Sequence, residues 1–381
     1  MNYSFSKLAL FHLGIFCLVL MSCTSAATRP SGGTSTGVNL PMALLQEHSG
    51  KPFLFAALKA GGVQVFSTSS SGEVQRIARI SRNALGGLDA MNLHQENNRL
   101  FVALGDHFSA RGSKAGLAVL DIGNPKAPTV LGLWQSVDVI KGAGDVTADG
   151  TTVWLGAMSA GVIGLDVSNP RRPKEISRFR PDPNFPKKNP GRLQIPAARG
   201  LYVAGNRLYV AYDAGGLRVL NISNPANPRE IGRYVNPDMG KKPNAYNNIT
   251  IRRGLAYAAT DYCGVEVIDI RNARSMKQTG WWNPWECNTP SNNWFNSPGH
   301  TNQIVWLDRN RLAFSSGDAE LVVVDVSNPA KPKEISTLGG HKDGLGSWSV
   351  AVGQSDLYLG YIRTIIPFRG TWSGIRKLPR P

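Results

Sequence analysis

The chain has 381 residues, with 42 lysines and arginines against 26 acidic residues, which gives a formal net charge of +16. A chain of this length is long for one ordinary domain but normal for a repeat protein or a closed β architecture. The strong positive charge fits an acidic partner, namely anionic lipid, nucleic acid or an acidic protein, or else it marks a basic surface without a partner.

Residues 1–22 have the pattern of an export signal. Lys7 precedes the apolar run Leu8–Leu20, which is too short for a stable membrane-spanning helix but suits the core of a signal peptide. The ending LMSC at residues 20–23 resembles the bacterial lipobox, which implies cleavage before Cys23 and lipidation of its thiol. An ordinary secretory signal that is cut near residues 26–27 is the alternative.

The lipobox resemblance predicts a lipid-anchored protein of the bacterial periplasm, and Thr24 in place of Asp favours the outer membrane. Residues 23–40 are rich in Gly, Ser and Thr and are predicted to form a flexible lipid-anchored tether. The folded domain is then expected to span residues 41–381, with the lipid anchor as its only contact with the membrane. Nucleic acid is the least favoured partner, because an exported lipoprotein rarely meets it.

Internal repeats dominate the rest of the sequence. Each copy contains a near-continuous apolar strand, as in LVVVDV at residues 321–326, and the best copies continue with Asn-Pro-x-x-Pro. The close copies are residues 115–134, 160–179, 215–234, 263–282 and 319–338, and the weaker copies are residues 61–80 and 361–378. Repeats of this kind indicate stacked supersecondary units.

Each unit is predicted to contain four strands and no helix. A short strand such as residues 206–214 precedes a glycine-containing turn and the apolar strand, whose continuous apolarity indicates burial on both faces. The prolines cannot donate to a strand ladder, so Asn-Pro-x-x-Pro is a loop before a last short strand. A fourth candidate, such as residues 302–307, lies upstream. Units of roughly 50 residues indicate an all-β fold, a β-propeller of seven blades, with six as the alternative.

The segment LVVVDVSNP at residues 321–329 resembles the LVIVD-repeat family. Members of that family are exported bacterial and archaeal proteins that are predicted or known to form β-propellers. The resemblance covers about residues 45–380 and implies the same fold, while its motif says almost nothing about activity.

The loops of such a propeller divide between two faces. With the strands of a blade called a to d from the channel outward, the b–c and d–a loops share one face. The d–a loops are long, at residues 180–196, 235–248, 281–303 and 339–347, and the b–c loop at residues 105–116 lies beside them. Long loops on a repeat scaffold usually mark its working surface.

These loops combine basic and aromatic residues, which is the composition of protein-interaction hot spots. We therefore predict that a partner is bound by Trp281, Trp282, Trp285, Trp294, Phe295, Tyr246, Phe185, Lys187, Lys188, Lys241, Lys242, His107, Arg111 and His341. The alternative is that several of these rings fold inward and anchor the long loops.

Cys263 and Cys287 are the two cysteines that remain when the leader is removed and Cys23 is lipidated. Cys263 lies on a predicted b–c turn, where other repeats have Ala or Gly, and Cys287 lies in the following d–a loop on the same face. In an exported protein they are predicted to form a disulfide that holds the Trp-rich loop rigid. A metal site or a reactive pair is the weaker alternative.

Signatures of catalysis and metal binding are weak. No two histidines have metal-ligand spacing, and AMSAG at residues 157–161 lacks the first glycine of a nucleophile elbow. We expect no enzyme activity, no cofactor and no metal, although His107, His300 and His341 could converge with Asp106 or Asp343. Polar residues such as Asn248 and Gln303 at the channel mouth bind a small molecule or a cation, or more commonly satisfy strand ends with water.

The leading prediction is a non-catalytic periplasmic lipoprotein that binds an acidic protein partner. Its sharper form is an immunity protein that neutralises a toxic effector of type VI secretion, since toxins acting on membrane lipids or cell wall must be blocked in this compartment. The alternatives are an envelope scaffold or glycan-binding surface protein, and a propeller hydrolase or lactonase with a metal on the channel axis.

Overall fold

The part of the chain that the structure describes consists almost entirely of strands and the turns between them. The structure is a computed structural model, and it describes residues 33–35, 44–48, 51–68, 74–186, 195–240, 242–316, 319–340, 344–363 and 370–381. The helices among these residues are three 3₁₀ turns, Asn83–Leu85, Pro237–Met239 and Ala273–Ser275, and none is long and apolar enough to cross a membrane. The predicted all-β fold class is confirmed.

The strands form seven four-stranded antiparallel sheets, which we call blades 1 to 7. Blades 1 to 6 consist of β2–β5, β6–β9, β10–β13, β14–β17, β18–β21 and β22–β25, and blade 7 consists of β26–β28 with β1 outermost. The strand bounds are Gly33–Ser35 (β1), Leu44–Glu47 (β2), Phe53–Ala57 (β3), Val63–Ser67 (β4), Gln75–Ile80 (β5), Ala90–Glu96 (β6), Arg99–Leu104 (β7), Gly116–Asp121 (β8), Thr129–Gln135 (β9), Asp145–Asp149 (β10), Thr152–Gly156 (β11), Val162–Asp166 (β12), Lys174–Phe179 (β13), Gly200–Ala204 (β14), Arg207–Ala211 (β15), Leu217–Asn221 (β16), Arg229–Tyr234 (β17), Asn248–Arg252 (β18), Leu255–Ala259 (β19), Val265–Asp269 (β20), Lys277–Trp282 (β21), Thr301–Trp306 (β22), Arg311–Ser316 (β23), Leu321–Asp325 (β24), Lys333–Leu338 (β25), Ser347–Val352 (β26), Asp356–Tyr361 (β27) and Gly374–Pro379 (β28).

The seven sheets form a closed ring around a central channel. Each innermost strand contacts the innermost strand of the next blade, and β26 of blade 7 contacts β2 of blade 1. The prediction of a seven-bladed β-propeller is therefore confirmed, and the six-bladed alternative is wrong.

Burial follows the sequence pattern from the channel outward. In blade 6 the apolar strand β24 is buried over its first four residues, whereas the outermost strand β25 is exposed over its first five. In blades 1 to 6 the register between strands c and d shifts by one residue near the middle of the pair. Such a bulge raises the local twist of the sheet, which suits the outer edge of a propeller blade.

Two Asx turns shape the Asn-Pro-x-x-Pro loop. In blade 3 the Oδ1 of Asp166 accepts the N–H of Ser168 at 2.8 Å, and the Oδ1 of Asn169 accepts the N–H of Arg171 at 3.1 Å. The same pair of contacts recurs in blades 2, 4, 5 and 6. The Asp (Asn in blade 4) and the Asn of the repeat therefore fix the backbone of the loop.

The loop docks on the outermost strand of the preceding blade. A Cβ atom on Gly232 of blade 4 would lie 2.0 Å from the carbonyl oxygen of Ala273 in blade 5. Gly280 of blade 5 faces the loop of blade 6 in the same way. In blade 3 the equivalent residue is Ser177, whose hydroxyl donates to the carbonyl oxygen of Pro225 at 2.6 Å. Neighbouring blades thus meet backbone to backbone at a position that holds glycine or serine in these three blades.

Blade 7 is completed by both ends of the chain. Its strand c is β28 and its strand d is β1, with Thr34 opposite Ile375. The weak repeat at residues 361–378 is therefore misaligned in the sequence comparison, because strand c begins only at Gly374. Strand β1 lies within residues 23–40, the predicted tether, and the remainder of that segment lies outside the described residues.

The close approach at Gly232 predicts a test of the blade interface. The substitution Gly232→Ala should lower the free energy of unfolding by about 1–3 kcal/mol, because the added methyl group must displace the backbone of blade 5. Gly340→Ala is the matched control, since a Cβ atom at Gly340 meets no atom within 4 Å. Equal stability of the two variants in denaturant unfolding would contradict this account of the interface.

Candidate binding surface

The b–c and d–a loops lie together on one face of the ring, which we call the loop face. Isolated β-bridges join the b–c turn of one blade to the segment that enters the next, for example Met158 to Ala198 and Asp261 to Thr301. The d–a connections at residues 180–199, 235–247 and 283–300 are the long ones. The structure thus has the division of loops that the repeat pattern predicts.

Cys263 and Cys287 form the predicted disulfide, with their Cα atoms 5.2 Å apart. Both cysteines are buried, and the Sδ atom of Met239 lies 3.6 Å from each Sγ. The indole N–H of Trp281 donates to the carbonyl oxygen of Cys263 at 2.7 Å. The bridge therefore joins the b–c turn of blade 5 to the 283–300 loop, and Met239 packs the preceding d–a loop against it.

The tryptophans of the 283–300 region face mainly inward. The prediction that Trp282 contacts a partner is wrong, because it is 7 % exposed and packs against Phe314 of blade 6 with ring centroids 5.0 Å apart. Trp285 is half-buried on Trp282, and Trp294 is half-buried with its ring 5.5 Å from that of His300. These side chains anchor the long loop, as the alternative interpretation of the sequence expected.

Tyr246 requires a second correction, because it is 1 % exposed and cannot reach a partner. Its hydroxyl donates to the Glu266 carboxylate at 2.6 Å, and the hydroxyl of Tyr234 donates to the same carboxylate at 2.6 Å. Gln278 donates a third hydrogen bond at 3.1 Å. Burial nevertheless raises the pKa of Glu266 to about 7. Tyr246 thus holds the 235–247 loop from inside.

Phe185 and Lys242 also make internal contacts while keeping part of their surface open. The guanidinium groups of Arg218 and Arg233 lie 4.7 and 4.8 Å from the ring centroid of Phe185. The ammonium group of Lys242 donates to the carbonyl oxygen of Asn292, which ties two d–a loops together. Both side chains are half-buried.

His107 and Arg111 lie on the b–c loop of blade 2. His107 is half-buried at the channel mouth, where burial and, to a smaller extent, Arg199 lower its pKa to about 3, so that it is neutral. Arg111 is exposed. The remaining predicted residues lie outside the described part of the chain: Lys187, Lys188, Lys241, His341 and the lipidation candidate Cys23.

Exposed apolar side chains concentrate on the loop face. Among the described residues seven large apolar side chains are exposed, and five lie on this face: Phe108, Val137, Ile140, Ile195 and Phe295, at 49, 86, 55, 62 and 76 %. The other two, Leu133 and Ile335, lie on outermost strands. Of these five residues, only Phe295 was predicted from the sequence to lie at the binding surface. Val137 and Ile140 could have been recognised too, because they lie outside any strand pattern that would bury them.

Polar side chains on the innermost strands link neighbouring blades. Asn92 donates to one oxygen of Asp145 at 2.7 Å, and the other oxygen accepts the N–H of Leu201 at 2.7 Å, which connects blades 2, 3 and 4. The amide oxygens of Asn248 and Gln303 accept a backbone N–H of the next blade in the same way. Through these atoms the side chains at the channel mouth satisfy backbone groups of the adjacent blade directly.

The described residues contain no group of three or more His, Cys, Asp or Glu side chains that could hold a metal ion. His300 lies with its Nδ1 atom 2.5 Å from Asp261, and this contact lowers the pKa of Asp261 although burial acts in the opposite direction. His341 and Asp343 of the expected metal set lie outside the described residues. The metal-dependent hydrolase alternative therefore has no ligand set in the described part of the chain.

Comparison with known families agrees with the repeat motif. Residues 197–236 and 314–338, which correspond to blade 4 and to most of blade 6, match the family model LVIVD repeat. These matches and the seven-bladed ring fit the LVIVD β-propeller family. No curated protein matches the sequence closely enough to indicate a relative.

Solved structures show the same fold at low sequence identity. The structure of RRP9 WD40 repeats is 11 % identical with a TM-score of 0.62, and the match covers 92 % of this chain and 99 % of that one. U3-55K is 11 % identical with a TM-score of 0.60, over 90 % and 100 % of the two chains. A chain of the mitotic checkpoint complex is 10 % identical with a TM-score of 0.60, over 97 % and 98 %. Likeness at this level concerns the fold alone.

The disulfide predicts a local effect on the 283–300 loop. The substitution Cys287→Ser should leave the propeller folded but increase proteolysis of that loop, because the bridge contributes about 3 kcal/mol toward holding it in place. Reduction of the unchanged protein is the matched control and should have the same effect. Protease sensitivity of residues 283–300 that is equal in the variant, the reduced protein and the oxidised protein would contradict this role.

The raised pKa of Glu266 predicts a pH dependence of stability. Because its pKa is about 7 in the folded protein and near 4.5 when unfolded, Glu266 stabilises the fold fully below about pH 4.5, and this contribution disappears as pH rises through 7. Relative to a Glu266→Gln variant, the protein should lose about 3 kcal/mol over this interval. Urea unfolding at several pH values measures the difference, and parallel pH profiles would contradict the prediction.

Proposed function

Taking the chain as a β-propeller with LVIVD repeats, we propose that it is a non-catalytic binding protein whose loop face contacts an acidic protein partner. The concentration of exposed apolar side chains on that face carries the proposal. Single exposed apolar residues are common on any protein, but a set concentrated on one face and flanked by basic side chains is typical of an interaction surface.

The exposed residues of blade 2 form one continuous part of this surface. Its b–c loop and its following d–a loop are adjacent, since Ser113 pairs with Lys141 in an isolated bridge. The first loop carries exposed Phe108, Arg111 and Lys114, and the second carries exposed Val137, Ile140 and Lys141. We call these six residues the blade 2 patch. It offers apolar area for burial and three cations for acidic side chains of a partner.

The second part of the proposed surface is held rigid before binding. Phe295 stands exposed on Trp294, in the loop that the disulfide joins to blade 5. The inward-facing tryptophans fix the path of that loop. A loop that is ordered in the free protein loses less conformational entropy on binding, so fewer contacts suffice for a given affinity.

The finer form of the proposal concerns the compartment and the partner. We place the protein in the periplasm, anchored by lipid in the outer membrane. Its acidic partner is a toxic effector of type VI secretion, which it neutralises. The support for this form is the lipobox-like ending at Cys23 and the net charge of +16. The membrane is contacted through the anchor only, and nucleic acid is not a partner.

Glycan binding by the long loops is the weaker alternative. Trp281, Trp285 and Trp294 are half-buried and make internal contacts, which leaves little open indole surface for a sugar to stack on. The exposed side chains are Phe, Val and Ile, and these suit a protein surface better than a sugar.

The proposal predicts that substitutions on the loop face weaken partner binding. The partner is first captured from envelope extract, and the dissociation constant of the purified pair is then measured. Arg111→Glu and Phe295→Ala should each weaken binding by about tenfold or more, and added salt should weaken it further.

Two substitutions away from the loop face serve as matched controls. Arg172→Glu reverses an exposed charge on a c–d loop of the opposite face, and Ile335→Ala removes an exposed apolar side chain from the outermost strand of blade 6. Both should bind like the unchanged protein. The proposed surface would be contradicted if the controls weakened binding as much as the loop-face variants did. It would also be contradicted if the captured partner bound the unchanged protein and all four variants alike.

A further inference from the structure

A pocket lies on the channel axis where the innermost strands begin. Its cavity volume is about 50 Å³, and its wall combines the half-buried ring of Trp348 with the carboxamides of Asn247, Asn248, Asn302 and Gln303. Blades 2 to 7 all contribute lining residues. A cavity needs about 10–15 Å³ to hold one water, so this one holds a few waters, and the hydroxyl groups on one edge of a small ligand can take their places.

The side-chain amides of Asn248 and Gln303 each bond to the next blade through the oxygen, and their nitrogen is not used in that contact. The Oδ1 of Asn248 accepts from Ile304, and the Oε1 of Gln303 accepts from Val350. These bonds define which end of each amide is the oxygen, because the partner is a backbone N–H. Neither –NH₂ group donates to a residue in the described part of the chain, so both retain two donors for a ligand.

The neighbouring carboxamides are used in the opposite sense. Asn247 donates through Nδ2 to Asp261 at 3.0 Å and to the carbonyl oxygen of Thr301 at 3.1 Å. Asn302 donates through Nδ2 to the carbonyl oxygen of Ser347 at 3.4 Å. Their Oδ1 atoms make no hydrogen bond within the described residues. The four carboxamides therefore supply both donors and acceptors to the pocket.

The charged groups at the wall are neutralised within the protein. The guanidinium of Arg199 pairs with Asp213 at 2.9 Å, and the lowered pKa of His107 leaves its imidazole uncharged. An anion or a cation entering the pocket would lose hydration, and Asp213 already offsets the charge of Arg199. The wall thus favours a ligand that is neutral, polar and able both to donate and to accept hydrogen bonds.

We propose that the channel-mouth pocket binds a neutral hydroxyl-rich ring, a single pyranose unit, between the four carboxamides and Trp348. Hydroxyl groups match a mixed set of amide donors and acceptors, because each hydroxyl donates one hydrogen bond and accepts two. The indole of Trp348 supplies an apolar face for the C–H side of the sugar ring. Phe108 meets the Trp348 ring edge-on, with centroids 6.2 Å apart, and steadies it.

This site is distinct from the proposed protein-binding surface, because the channel wall supplies its recognition. Phe108, which contacts Trp348, is the residue that it shares with the blade 2 patch. Gln303→Glu should lose sugar binding and keep partner binding, whereas Arg111→Glu should lose partner binding and keep sugar binding. Failure of one proposal is therefore distinguishable from failure of the other.

Isothermal titration calorimetry of the purified full chain tests the site. The neutral probes are glucose, methyl β-glucopyranoside and N-acetylglucosamine, of which the methyl glycoside represents the end of a glycan chain. The charged counterparts are glucuronate and glucosamine. We expect saturable binding of at least one neutral probe at millimolar concentration or below, and weaker or no binding of both charged sugars.

Substitutions assign any binding to this pocket. Trp348→Ala should weaken binding of the neutral probe by about tenfold, whereas Trp306→Ala, which removes a half-buried indole stacked on Arg252 outside the pocket, should leave it unchanged. Gln303→Glu keeps the oxygen that accepts from Val350 and removes the two donors, so it should weaken binding by about fivefold with the fold intact.

Three results would each overturn the site. They are no saturable binding of any neutral probe, tighter binding of a charged sugar than of every neutral one, and full affinity in both Trp348→Ala and Gln303→Glu. Thermal unfolding of each variant shows whether a loss of binding reflects loss of fold. Should Trp348→Ala fail to fold, the Gln303→Glu result decides.

Discussion

The docking of each Asn-Pro-x-x-Pro loop on the outermost strand of the preceding blade is the contact on which the ring depends. At Gly232 and Gly280 the two backbones come so close that a Cβ atom has no room, and at Ser177 a short hydroxyl completes the contact. Two Asx turns give the loop the conformation that this approach requires. The repeat motif therefore encodes how one blade meets the next, which explains why it is specific for the fold and uninformative about activity.

The ring is fastened a second time at the channel. Asn92, Asp145, Asn248 and Gln303 each bond across to an adjacent blade, and they do so on the side of the loop face. These contacts fix the inner and the outer edges of the blades through residues that lie outside the long d–a loops. Their length and composition can vary at small cost, which is the usual reason that function collects on such loops.

The blades and the disulfide could be predicted from the sequence, but the direction in which the aromatic side chains point could not. Strands such as β24 can be recognised in the sequence, because a strand that is buried on both faces is apolar over nearly its whole length. Whether Trp282 or Tyr246 points inward depends on Phe314 and Glu266, which meet them only in the folded ring. The strand pairing of blade 7 left no local pattern, because its members come from opposite ends of the chain.

The pairing of β1 with β28 also determines when the fold can be completed during synthesis. Strand β1 is synthesised first and β28 last, and each needs the other. Blades 1 to 6 can assemble in order as the chain emerges, but they form an open arc whose terminal blade has an unpaired edge. The ring closes only once β28 is free to pair with β1. A chain whose β28 still lies within the ribosome is therefore kept from reaching the native state by topology alone.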